Sequence, residues 1–164
     1  MNAIEAIKTR RSIREYSDKE ISKDDLKEII DCARLAATAR NIQPWQFVVV
    51  QDSVKLAKVS ELAPNGSFIK GANAAIVVFS EDTKYFLEDC SAAICNIMLA
   101  AHALGIGSCW IAGDKKPYCE DIKALFNAPA ELKLVGMVSL GYAKEPAAEK
   151  EKKSVDEVLK WESF

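Results

Sequence analysis

Apolar residues recur along this chain with two periods, and the alternation between those periods marks out its elements. Asn2, with Glu5 three residues on, forms a capping-box pattern that opens a short helix to about Thr9. Residues 10–16 are charged and read as extended. Ser22 with Asp25 opens a second helix, whose Leu26, Ile29, Ile30, Ala33 and Ala36 fall at helical spacing and which runs out near residues 38–41. Pro44 bars continuation, and residues 46–50 then read as a strand covered on both faces. Residues 53–62 are a helix, Pro64-Asn65-Gly66 a turn, and residues 74–79 a second buried strand. Residues 83–104 read as one long helix stopped by Gly105 just past its end. From Ala92 onward that helix has no wet face, which calls for central burial or a partner. Residues 107–113 form a short strand ending in a glycine turn, and Pro117 suits the first turn of a helix to about Phe126. Residues 134–142 are a further strand. The tail from Ala143 is charged, with Val155, Val158, Leu159 and Trp161 as scattered apolar anchors.

Helices and strands are thus mixed through one core of 164 residues, with no repeat and no dividing linker, so a single domain over residues 1–164 is expected. The pattern alone admits α/β or α+β and leaves topology open. The charges nearly cancel, 22 Lys and Arg against 24 Asp and Glu, so no basic field points to nucleic acid or a membrane surface. The apolar run at residues 94–104 is broken by Asn96 and His102 and is too short to span a bilayer. The first residues lack the basic-then-apolar order of an export signal, which leads to the expectation of a cytoplasmic protein. Its five cysteines, Cys32, Cys90, Cys95, Cys109 and Cys119, then read as reduced thiols. Their spacing matches no zinc or iron–sulfur site, and Cys109 alone is placed near a site.

The chemistry-bearing patterns are few. No nucleophile elbow, phosphate-binding loop or dinucleotide fingerprint is present. The single histidine, His102, lies inside the apolar helix and reads as structural. No side-chain machinery for hydrolysis or metal chemistry is visible, so an enzyme of this sequence needs a cofactor for its hard step. Arg10-Arg11-Ser12-x-Arg14 sets three guanidinium groups beside a hydroxyl, and in an extended segment Arg10, Ser12 and Arg14 share one side. Planar guanidinium forks suit phosphate, although a solvated basic patch would read the same way. Asn41-x-Gln43-Pro44-Trp45 carries amides suited to the edge of a heteroaromatic ring, or a plain helix-to-strand connection. Residues 105–113 are rich in glycine and alanine, which lets backbone amides approach a ligand, or simply caps a helix and turns a strand.

Together these segments resemble the nitroreductase family of flavoproteins. The resemblance is carried by Ala6-Ile7-x-x-Arg10-Arg11-Ser12-x-Arg14-x-Tyr16, by Asn41-Ile42-Gln43-Pro44-Trp45-x-Phe47, and by the stretch from Ala100 through Gly105-Ile106-Gly107-Ser108-Cys109-Trp110. Leu140-Gly141-Tyr142, followed by Lys152 to Val158, resembles the family's closing segment. What the resemblance implies is an α+β fold: a three-layer α/β/α sandwich on a mostly antiparallel sheet, with a domain-swapped C-terminal extension. It implies a homodimer with FMN held noncovalently at the interface. It assigns Arg10, Arg11, Ser12 and Arg14 to the phosphate, ribityl and pyrimidine side of the flavin. Thr38, Ala39 and Asn41 match contacts made to the other subunit's flavin, and Asn65 matches one to the pyrimidine edge. Ile111, Ala112 and Gly113 match the backbone that lies against the ring system, with the Ala112 N–H near N5. Lys150 and Lys152 match basic positions that close over the phosphate.

This chain departs from the family pattern at several of those positions. Ala39 stands where Ser is common and Ala112 where Glu is common; Phe68 stands where some relatives have a cation, and Lys152 where Arg is usual. The implied activity is ping-pong hydride transfer from NADH or NADPH, through the flavin, to a nitroaromatic, quinone or similar small acceptor, with no side chain as acid or base and no metal. Reductive dehalogenation, ene reduction and flavin destruction are the alternative reactions. A non-enzymatic flavin-binding redox module is the alternative role.

Overall fold

A computed structural model describes residues 1–164, and its two cores follow directly from the two-residue period of the strands. The sheet has four strands in the order β1-β2-β4-β3, all antiparallel: β1 Trp45–Val50, β2 Ala74–Ser80, β3 Gly107–Ala112 and β4 Lys133–Gly141. Along β2 successive side chains point to opposite faces. Ala74, Ile76 and Val78 enter one core, while Ala75, Val77 and Phe79 enter the other. The first core packs under α2 (Lys23–Arg34) and α4 (Phe86–Ala103), through Leu26, Ile29, Ala33, Ile94 and Ile97. The second packs under α3 (Ser53–Leu62) and α5 (Cys119–Leu125), through Leu56, Val59 and Ile122. The result is the three-layer α/β/α sandwich of an α+β protein. Every residue of β2 is buried, as its run of apolar residues required. A bulge interrupts the β2–β4 pairing: Val78 faces Gly136 while Phe79 faces Leu134, leaving Val135 as the extra residue.

Of the two capping boxes expected, only the N-cap half forms in each. The Asn2 side chain accepts from the Glu5 amide of α1 (Ala3–Thr9), and Ser22 accepts from the Asp25 amide of α2. Gly105 takes φ of +76° just beyond α4.

Several expectations need correcting. Strand β1 is not covered on both faces: it is a sheet edge, with Gln46 and Val49 exposed. Helix α2 ends at Arg34, short of residues 38–41, because Leu35 and Ala36 tighten to i−3 hydrogen bonds. Residues 39–41 form a separate 3₁₀ turn. The turn at Pro64 extends into a 3₁₀ stretch, Pro64–Gly71. Helix α4 begins at Phe86, not Thr83, because the Thr83 amide bonds to Glu81 O in a local turn. Helix α5 begins at Cys119, and Pro117 lies in the turn before it.

From Ala92 onward the apolar stretch of α4 is not buried all round, as central burial would require: Ala93, Ile97 and Ala101 are buried, while Cys95, Ala103 and the capping Leu104 are exposed. No helix is long and apolar enough to cross a membrane. Past β4 the chain continues through a short helix, α6 (Val155–Val158), whose Val155 and Val158 are exposed, as are Leu159 and Trp161.

Candidate functional site

The site is built on the open edge of β3. That strand pairs only with β4, so every second residue turns its backbone polar groups outward. Ser108 O accepts from the Ile13 amide at 2.9 Å on the open side, whereas the Gly113 amide donates to Val135 O of β4 at 3.2 Å. By alternation, the N–H of Ala112 faces the open edge with Ser108. The arginine segment is therefore laid along β3, with a parallel bridge between Ser12 and Ser108. Gly107 makes this possible, since a Cβ there would come within 2.7 Å of the Ile13 side chain. A Cβ on Gly113 would meet Leu134 at 2.7 Å and backbone atoms of Gly136 and Val135 at 2.9 Å. These glycines thus serve close packing within the chain, where the sequence suggested room for a ligand.

A cleft of about 380 Å³ opens beside the segment, lined by Arg10, Arg11, Ser12, Arg14, Lys150 and Lys152 among its residues. With Lys8, six cations and a hydroxyl meet there, drawn from the two ends of the chain. Arg11 lies on this cleft as well, so the alternation expected of an extended segment does not hold. Its guanidinium is partly committed: Nη1 donates to Lys8 O at 2.8 Å and to Arg10 O at 3.0 Å, capping the end of α1. Arg10 differs, because its Nη1 is buried and has no acceptor. A buried donor without a partner is costly, and an anion in the cleft would supply what the chain does not. The Ser108 hydroxyl, 2% exposed, is likewise unpaired.

Arg14 leans the other way, with its guanidinium 5.6 Å from the centre of the Phe68 ring. That contact links the arginine segment to the 3₁₀ stretch that carries Asn65, whose side chain is exposed. The same stretch presses on β3 at Gly66, where a Cβ would meet Ile111 at 2.7 Å. Cys109, buried in β3, lies under Arg14, Ser12 and Arg10. Burial pushes its thiol up, and the two arginines and the Ser12 hydrogen bond pull it back only in part. Burial, aided by Arg10 and Arg11, holds the His102 imidazole below its ordinary value. Its Nε2 lies 2.8 Å from the Thr9 hydroxyl, a tie between α4 and α1.

One sequence-predicted group stands apart. Thr38, Ala39 and Asn41 do not line the cationic cleft within one chain. Their anchor is Asp89 of α4, which sequence reasoning missed: it accepts from the Thr38 hydroxyl at 2.8 Å and from the Ala39 amide at 3.0 Å. Tyr118 and Cys119 were missed too. The Tyr118 hydroxyl donates to Ala112 O and the Cys119 thiol to Gly113 O, which fixes the end of β3. Asp89 lies about 50 residues from its partners, and the Tyr118 and Cys119 bonds span the six residues of the turn between β3 and α5, so no short motif marks either. A larger groove of about 510 Å³ between α2 and β1 lacks comparable chemistry, since its Arg34 is paired with Asp31. No cluster of His, Cys, Asp or Glu side chains stands where it could hold a metal ion.

Known proteins share this fold. The model of the nitroreductase family matches residues 7–83 and 63–142. A protein of Archaeoglobus fulgidus, provisionally named NADH dehydrogenase/NAD(P)H nitroreductase, is 42% identical over 149 residues, covering 87% of this chain and 86% of the relative. Among solved structures, an FMN-dependent nitroreductase of Clostridium difficile superposes with a TM-score of 0.87 at 32% identity, covering 98% of this chain and 99% of that one. A provisionally named nitroreductase of Desulfovibrio desulfuricans, solved in complex with FMN, gives a TM-score of 0.85 at 26% identity, covering 100% and 98%. With the family model spanning both the arginine segment and the β3 edge, the chain belongs to the nitroreductase family.

Proposed function

We propose that this chain, a single domain over residues 1–164, is one subunit of a homodimeric NAD(P)H oxidoreductase that works through FMN. The observation that carries the reading is the cleft lined by Arg10, Arg11, Ser12, Arg14, Lys150 and Lys152, together with an Arg10 Nη1 that is buried without an acceptor. A phosphate monoester fits this donor set: it offers several anionic oxygens to forked guanidinium groups and point-charge lysines. FMN carries such a phosphate, and the Clostridium and Desulfovibrio neighbours are FMN proteins.

In this reading Arg10, Arg11, Ser12, Lys150 and Lys152 hold the phosphate and ribityl chain. Asn65 and Arg14 take the pyrimidine side. Ile111, Ala112 and Gly113 lie against the ring system, with the outward Ala112 N–H as a donor beside it. When bound, FMN supplies the two-electron carrier between NAD(P)H and a nitroaromatic, quinone or similar acceptor, the two substrates alternating in one site. The chain's own work is placement and electrostatics. Arg14, steadied over Phe68, brings positive charge to where hydride transfer leaves negative charge. Tyr118 holds the Ala112 carbonyl, so the residue bearing the outward N–H does not swing.

Dimerisation has its own support. Thr38, Ala39 and Asn41 lie away from the cleft of their own chain, as contacts to a partner's flavin must. Ile4, Ile7 and Leu35 are 63%, 59% and 65% exposed, a large uncovered apolar surface for helices α1 and α2. Beyond β4, Trp161 at 80% exposure suits a tail that wraps the other subunit as a swapped extension. The five unpaired cysteines suit a reducing compartment, and we place the reaction in the cytoplasm.

The test is direct. Purified protein is expected to be yellow and dimeric, and its flavin to bleach on anaerobic stopped-flow mixing with NADH or NADPH. A colourless monomer that ignores added FMN refutes the reading. A dimer that keeps FMN but is bleached by neither nucleotide would instead be a flavin-binding module or take electrons from a protein donor.

A further inference from the structure

Asp89 carries hydrogen bonds that the reaction just described does not use. It lies near the start of α4, 5% exposed, and both of its oxygens are taken. Oδ2 accepts from the Thr38 hydroxyl at 2.8 Å and Oδ1 accepts from the Ala39 amide at 3.0 Å. The Thr38 oxygen in turn accepts from the Gln43 amide at 3.1 Å. One buried carboxylate therefore secures both ends of segment 38–43. Within the segment, Gln43 Nε2 donates to Asn41 Oδ1 at 3.1 Å.

That segment is hard to hold in its observed shape. Arg40, Asn41 and Gln43 have φ of 55°, 56° and 55°. Asparagine tolerates the left-handed region, but a Cβ makes it unfavourable for Arg and Gln. All three side chains are exposed, so no packing of their own explains the conformation. Backbone strain of this kind persists only where the surroundings impose it, and it concentrates at ligand sites. Here the imposing group is the Asp89–Thr38 pair.

We infer that Asp89 is a positioning residue, which sets segment 38–43 through Thr38 and Ala39 in the shape that meets the partner subunit's FMN. The inference rests on the FMN-dimer reading above. A carboxylate is the group the geometry requires. Thr38 has one hydroxyl proton and gives it to Asp89, which leaves its oxygen free for the Gln43 amide. An asparagine at 89 has one oxygen for two donors, so its NH₂ would face either the Ala39 amide or the Thr38 hydroxyl and leave that donor without an acceptor.

The test uses Asp89→Asn, Thr38→Val, Thr38→Ser and the double variant Asp89→Asn/Thr38→Val in the full-length protein. FMN dissociation constant, flavin absorption maximum, dimer mass and Tm are measured for each. Asp89→Asn and Thr38→Val are each expected to weaken FMN binding about tenfold and to shift the flavin band, while the dimer persists. Thr38→Ser should restore both, since it keeps the hydroxyl. The double variant should bind no more weakly than Asp89→Asn alone, because both changes cut one clamp. An unchanged FMN affinity and band in Asp89→Asn, with only Tm lowered, would overturn the inference and leave Asp89 a structural cap. Fully additive losses in the double variant would also overturn it, by showing that Asp89 does not act through Thr38. If Asp89→Asn fails to fold, Asp89→Glu, which keeps the carboxylate but displaces it, takes its place with the same readings. A wild-type protein that binds no FMN fails the underlying reading, whereas normal wild-type binding with unaffected variants fails the clamp alone.

Discussion

Arg10→Met should weaken FMN binding while leaving the FMN-free protein at least as stable. The two effects have opposite signs because Arg10 Nη1 is buried and has no acceptor in the chain. An unmade hydrogen bond at a buried donor costs about 1–3 kcal/mol, and methionine removes that donor while keeping an unbranched apolar stem. A hydrogen bond to a charged phosphate is worth about 1.5–3 kcal/mol, so its loss raises the FMN dissociation constant roughly ten- to hundredfold. Linkage makes the difference visible in heat. With FMN at about a hundred times the wild-type dissociation constant, binding adds about 2.7 kcal/mol, or roughly 5–10 °C in Tm for a domain of this size. At the same FMN concentration the variant should gain about half of that or less. Fluorescence titration of FMN and paired melts with and without it measure both terms. An unchanged dissociation constant would refute the phosphate role. A large drop in the FMN-free Tm would refute the claim that the guanidinium is unpaired without ligand.

Three further outcomes follow from particular contacts. Burial, with Arg10 and Arg11, favours neutral His102 in the folded state, so the unfolded chain takes up that proton first. Stability present above about pH 6.5 is then lost as pH falls through that value. Melts between pH 8 and 5 should fall more steeply for wild type than for His102→Gln, and parallel slopes would remove His102 from the acid response. Gly113→Ala should lower stability by about 1–3 kcal/mol, because its methyl would meet the Leu134 side chain and, behind it, backbone of Gly136 and Val135 that cannot swing away. Gly71→Ala, with nothing within 4 Å of the new methyl, is the matched control, and equal melting temperatures would show that the β3–β4 edge yields. Tyr118→Phe frees the Ala112 carbonyl at a cost of about 1 kcal/mol and should slow flavin reduction at unchanged FMN affinity. A weaker FMN dissociation constant instead would make Tyr118 part of binding rather than of placement.

The readable parts of this protein are those whose cause is local. Asn2 and Ser22 cap helices because their side chains bond amides three residues away, within one turn. The run Ala74–Ser80 is buried end to end because neither of its faces carries a charge or a break. The arginine segment was legible as a cluster of cations because its donors lie side by side in the chain. The misread burial of β1 had a tertiary cause. Residues 46–50 are as apolar as a central strand, yet β1 ends as an edge, a matter of strand order that composition does not encode.

The sequence by itself determined the order and type of the main helices and strands, that both faces of β2 are covered, and that cations cluster in the N-terminal segment. It did so because capping, period and charge act between residues close in the chain. Only the tertiary structure decided which distant groups meet. It brought Lys150 and Lys152 to Arg10, set Gly107 against Ile13, and carried Asp89 across 50 residues to Ala39. It also left Arg10 Nη1 buried without a partner, a fact of solvent exclusion that no linear pattern contains. Such contacts depend on strand order and on which faces pack together, and these are settled only when the whole chain closes on its two cores.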